Sequence, residues 1–162
     1  YINADEIKKN LKCDDLTAAQ IAEKQREDHL KNREDFCFET VMSTPRNLNL
    51  LQRAKDAGYF IRCYYILTVD PFINVYRVKS RVAEGGHDVP IEKIIERYDK
   101  ALAQVCDVVH VCHIYDNSTE QPFRIFKKRK SEEFFDVCDE WHQEDIKLLT
   151  GSENMQYKNL NK

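Results

Sequence analysis

Ten consecutive residues, Phe60-Ile61-Arg62-Cys63-Tyr64-Tyr65-Ile66-Leu67-Thr68-Val69, are rich in aromatic and β-branched side chains and show little polar alternation. A strand with one wet face alternates apolar and polar residues, whereas a parallel strand covered on both faces reads as a continuous apolar run. The run therefore predicts a strand in the middle of a parallel sheet, and parallel neighbours require crossover segments between them.

The flanking patterns supply those crossovers. Ala18, Ile21, Ala22 and Leu30 recur at helical spacing between Thr17 and about Arg33. Ser43 or Thr44 can cap a helix with Pro45 at its first position; it carries Leu48, Leu51 and Ala54 and stops at Gly58. Asp70-Pro71 opens a further helix to about Glu84. Gly85-Gly86-His87-Asp88-Val89-Pro90 separates it from one over Ile91 to about Val105, so the pair reads as a hairpin-like lid over about 71–105. Short strands are expected at Tyr1 to Asn3, Phe36 to Glu39 and His110 to Tyr115, with an antiparallel edge strand at Phe123 to Lys127. A last helix is expected over Glu140 to Leu149, followed by a polar tail over 151–162. Strands alternating with helices give an α/β fold with a mostly parallel sheet.

The 162 residues fit one domain, here 1–150. A 42% hydrophobic and 33% charged composition with net charge -3 suits a soluble protein and excludes general polyanion binding, so a nucleic-acid partner is not expected. The one basic block, Lys127-Lys128-Arg129-Lys130, is followed closely by Glu132 and Glu133. Six cysteines without a C-x-x-C pair argue against a zinc ribbon and fit reduced thiols in the cytoplasm. Cys37, Cys63 and Cys112 sit in apolar runs, where a free thiol behaves as a small hydrophobe. No apolar stretch approaches a membrane span, so no membrane association is expected.

Ligands of open parallel sheets bind beyond the carboxyl ends of the strands. Asp5 and Glu39 stand at two such ends. Phosphoryl transfer to a hydroxyl uses one carboxylate to accept or orient the acceptor proton and often another to fix the acceptor. Asp5 suits the first role and Glu39 the second; the alternative is that Asp5 caps its helix and Glu39 is a surface residue. Arg77 and Arg81, four apart, share a helix face opposite Phe72, Val75 and Val82, and Lys93 and Arg97 do the same on the next helix. Two cationic stripes beside a Gly-Gly turn suit closure over phosphates, and two solvated amphipathic helices are the other reading. His87, in the turn, either contacts a ligand or stabilises the loop. His110 and His113, three apart in a strand, point to opposite faces, so no protein metal site is expected. No G-x-x-x-x-G-K-[ST] occurs, because none of the four glycines is followed by Lys.

The ordered strings YINADEI (1–7), FCFETVMS (36–43), RAKDAGYFIRCYYI (53–66), RVKSRVAEGGHDVPIEKIIERY (77–98) and YDNS (115–118) resemble the zeta-toxin family of P-loop kinases. GGHDVP followed by I-x-x-R-Y is the most specific part. The resemblance implies a three-layer P-loop kinase-like fold with ATP or GTP and Mg2+ as cofactors. It implies Asp5 as base for the acceptor hydroxyl, with Asn3 beside it, and Glu39 with Thr40 at the acceptor site. It also implies phosphate contacts from Arg77, Arg81 and Arg97, substrate contact from His87, and Asp116 and Asn117 near the nucleotide base. The toxin branch phosphorylates UDP-N-acetylglucosamine. The other readings are a related kinase for another nucleotide, a sugar or a nucleic-acid end, and a degenerate protein-binding module. The resemblance further implies an antitoxin partner. The family's first strand, phosphate loop and following helix are absent from these residues, so the fragment by itself is expected to be inactive and to self-associate through exposed sheet edges.

Overall fold

The computed structural model describes residues 1–42, 45–86, 88–98 and 102–162. These fall into two compact units, Tyr1–Val41 and Met42–Lys162.

In the first unit, α1 (Ala4–Leu11) packs on α2 (Asp15–Asn32). Asp14 caps α2 by accepting from Thr17 N at 2.7 Å, and Arg33 ends it in a left-handed conformation. Ala18 and Ala22 form its buried stripe. The two strands expected here reduce to a single parallel bridge between Ile2 and Phe38. Phe36 and Phe38 stack at 6.1 Å, and the Arg26 guanidinium lies 5.1 Å from the Phe38 ring centre. Cys37, expected to be a core thiol, is exposed.

The second unit is built on five strands, β1 (Arg62–Leu67), β2 (Val111–Asp116), β3 (Phe123–Arg129), β4 (Glu132–Phe135) and β5 (Gln156–Tyr157), in that spatial order. β1 is parallel to β2 and β4 to β5, while β3 is antiparallel to both neighbours. Four of the five strands thus share one direction and β3 alone reverses.

Two expectations need correcting. β1 is an edge strand, not a central one, and it is covered on one face only: Arg62, Tyr64 and Ile66 are exposed while Cys63, Tyr65 and Leu67 turn inward. The aromatic residues hid this alternation, because a tyrosine tolerates either face. β3 is not an edge, because β4 and β5 continue the sheet beyond it.

The helices of this unit are α3 (Pro45–Asp56), α4 (Pro71–Ala83), α5 (Ile91–Tyr98), α6 (Leu102–Val108) and α7 (Gln143–Thr150). The expected caps of α3, Ser43 and Thr44, lie outside the described residues. The expected second lid helix is described as α5 and α6, and residues 99–101 lie outside the described residues. The core gathers Ile114, Ile125, Phe126 and Ile146, all at 0% exposure, with Val105, Cys106, Phe135 and Trp141. Burying each such large apolar side chain contributes about 1.5–3 kcal/mol. Residues 151–162 are not a solvated tail: they form β5 and bury Ser152, Met155 and Leu160. Leu160 N and Asn161 Nδ2 both donate to Asp136 Oδ2, at 2.8 and 3.1 Å.

Candidate functional site

The bridge between Ile2 and Phe38, with Ile2 N donating to Cys37 O at 2.9 Å, fixes the register that sets Asn3 beside Glu39. Asn3 then makes four hydrogen bonds. Its Oδ1 accepts from Asp5 N (2.8 Å) and Glu6 N (3.1 Å), and its Nδ2 donates to Tyr1 Oη (3.0 Å) and Glu39 Oε2 (3.4 Å). The N-cap of α1 is therefore Asn3 and not Asp5. Asp5 is exposed in the first turn of α1, so its carboxylate is not used as the cap. Free backbone N–H groups make that end of a helix a favourable place for negative charge. The Tyr1 hydroxyl is held above its usual value, first by its hydrogen bond to the Glu39 carboxylate. Thr40 is exposed beside Glu39.

In the second unit, the carboxyl ends of β1 and β2 are joined by polar contacts. Asn117 N donates to Leu67 O (2.8 Å), and Val69 N donates to Ser118 Oγ (2.8 Å). Asp116 is buried, and its Oδ1 accepts from both Ser118 N (3.0 Å) and Ser118 Oγ (2.5 Å). Asp70 caps α4 through Phe72 N at 2.8 Å. Asn74 Nδ2 donates to the buried Thr68 Oγ1 at 2.9 Å. Arg77, one turn further, donates from Nη2 to Ser118 O at 3.3 Å. Thr68, Asn74 and Ser118 were not singled out from sequence. Thr68 and Ser118 stand just beyond the ends of β1 and β2, Ser118 within the YDNS string, whereas Asn74 has no signal beyond its place on α4.

The lid arginines are placed as follows. Arg77 and Arg81 are both exposed. Of the side chains expected to back them, only Val75 is buried, whereas Phe72 is 63% exposed and Val82 lies at the surface. The Gly-Gly turn has a steric cause: a Cβ on Gly86 would lie 2.4 Å from Arg81 Cγ and 2.8 Å from Arg81 O. Gly86 N donates to that same carbonyl at 2.8 Å, and Gly85 takes φ +88. A groove of about 370 Å³ between α4 and residues 88–94 is lined by Val75, Val78, Val82, Val89, Pro90, Ile91 and Ile94, with Lys79, Asp88 and Glu92. Neither Arg77 nor Arg81 lines it. Lys93 is exposed on α5. His87 and the side chain of Arg97 lie outside the described residues.

Among the described residues, no three His, Cys, Asp or Glu side chains gather as metal ligands, and no helix is long and apolar enough to cross a membrane.

The family model described as Zeta toxin matches residues 3–136. The chain belongs to that family, and with it to proteins of P-loop kinase-like type. No curated protein and no solved structure matches.

Proposed function

We propose that this member of the zeta-toxin family serves a phosphotransferase that moves the γ-phosphate of ATP or GTP to a hydroxyl of a small molecule, a UDP-activated amino sugar being the favoured acceptor. The observation that carries the reading is the Asn3 amide, which draws Glu39 to the entrance of α1 and leaves the Asp5 carboxylate exposed there. Asp5 takes the acceptor proton, Glu39 and Thr40 hold the acceptor by hydrogen bonds, and Asn3 positions Glu39. Arg77, Arg81 and Arg97 neutralise phosphate charge, His87 contacts the substrate, and Asp116 and Asn117 serve the nucleotide base. The same proposal takes the kinase-like fold to run through β5, with a helical lid over about 71–105, working in the cytoplasm.

A nucleotide supplies the transferable phosphoryl group when bound. These 162 residues contain no phosphate loop. The proposal therefore concerns acceptor chemistry and the phosphate contacts named above. An antitoxin protein is the proposed regulatory partner. The edge of β1, with Tyr64 and Ile66 exposed, is the proposed surface for self-association.

The test is transfer of labelled γ-phosphate by the longest natural form of the chain, across UDP-sugars, free sugars, nucleosides and nucleic-acid ends. Labelling of a UDP-sugar supports the reading. Exclusive labelling of another class redirects it, and nucleotide binding without any labelling rejects it.

A further inference from the structure

The face of the sheet beneath α6 brings three sulfurs together. Cys63 on β1 and Cys112 on β2 are direct partners in the parallel register, so their side chains leave the sheet on the same side. Cys106 on α6 packs from above, with its Sγ 3.8 Å from Cys112 Sγ. All three thiols are free. Cys106 and Cys112 are buried at 1% and 0% exposure, while Cys63 is only half-buried. Cys112 is thus the middle sulfur of a row in which Cys63 is the least buried member.

We infer that Cys63 and Cys112 form a peroxide-responsive dithiol, with Cys63 meeting the oxidant and Cys112 resolving it. The Cys63 sulfur attacks a hydroperoxide; the O–O bond breaks, an S–O bond forms, and water or an alcohol leaves with the displaced oxygen. The Cys112 sulfur then attacks the Cys63 sulfenic acid, an S–S bond forms, and the hydroxyl leaves as water with the thiol proton. Cys106 lies within reach to attack the Cys112 side of that disulfide, which returns Cys63 as a thiol and leaves Cys106 bonded to Cys112. The geometry orders the steps: Cys63 is the least buried of the three, and Cys112 lies between the other two. Hydrogen bonds to Cys106 and Cys63, with burial, push Cys112 up. Cys112 takes part in both linkages, and the phosphotransfer proposal has no bearing on either.

The experiment uses the full chain with Cys13, Cys37 and Cys138 replaced by Ser, treated with hydrogen peroxide and analysed by intact mass and proteolytic mapping. The expected result is loss of two hydrogens and a cross-linked peptide joining Cys112 to Cys63 or Cys106. Adding Cys112→Ser should abolish the link and leave a Cys63 sulfenic acid that dimedone captures. The unsubstituted chain, mapped in the same way, should give the same link, which keeps the test valid if the triple replacement disturbs folding. Over-oxidation of Cys63 with Cys112 still a thiol, a link that omits Cys112, no oxidation of the trio, or equal yield of the link in urea would each overturn the inference.

Discussion

The Asn3 side-chain amide donates to the Glu39 carboxylate across 3.4 Å although 36 residues separate them, and the same side chain caps α1 through its oxygen. One residue thus couples the start of a helix to a carboxylate contributed by a distant segment.

That coupling separates two substitutions. Asn3→Ala removes both the cap and the Glu39 contact and should cost about 0.5–2 kcal/mol of stability, read by urea unfolding. Asn3→Asp keeps an N-cap acceptor but sets a second negative charge against Glu39, so helix content should survive while acceptor KM rises. Equal stability loss in both variants would contradict the division of roles.

Gly86 is predicted to resist substitution. A methyl group there meets the Arg81 backbone carbonyl as well as its side chain, so relaxing the side chain alone does not relieve the overlap. Gly86→Ala should lower stability by about 1–3 kcal/mol by thermal or urea unfolding, with the change concentrated in α4 and the following turn in hydrogen exchange. A neutral Gly86→Ala would contradict the packing.

Much of the fold could be read from the residues alone. Pro71 preceded by a capping Asp, and Pro45 at a first helical position, mark helix starts whose φ and capping requirements are local, and α4 and α3 begin there. The apolar runs gave the positions of β1 and β2 for the same reason. What escaped depends on partners that are distant in sequence. β4 is four residues, Glu132-Glu133-Phe134-Phe135, recognisable only once β3 is laid beside it, and β5 is two residues paired to β4. The exposure of Tyr64 and Ile66 reflects the uncovered face of β1, which the aromatic run does not report. At the site, shared acceptor roles for the YIN and FET segments follow from the family resemblance, but the assignment of the cap to Asn3 required the backbone. Asp5 follows Asn3 by two residues, and either can serve as an N-cap acceptor.

His113 gives a pH signature. Its pKa is lowered by burial first and then by Arg124, Lys127 and Arg62. The unfolded chain therefore takes up a proton at higher pH than the folded one, and stability falls as pH drops through the usual histidine range. Urea midpoints measured between about pH 7.5 and 5.5 should fall toward acid, and His113→Gln should flatten part of that slope. The effect is small, because the ring is only partly buried and solvent screens its charge. A slope unchanged by His113→Gln would contradict the assignment.

Arg77 is predicted to hold the loop at the end of β2. Its bond to Ser118 O is a single contact, worth about 1 kcal/mol net, so Arg77→Ala should speed amide exchange around Asn117 and Ser118 roughly fivefold. Arg77→Lys, which keeps the charge but loses the planar fork, should restore little of the protection. Unchanged exchange in Arg77→Ala would contradict the tether.

The central claim is that Asp5 accepts the proton of an acceptor hydroxyl. The direct measurement is the phosphotransfer rate of Asp5→Asn beside its nucleotide affinity, in the longest natural form of the chain. The account predicts transfer reduced by a factor on the order of 100 to 10,000 with nucleotide affinity largely retained. Undiminished transfer by Asp5→Asn would contradict it.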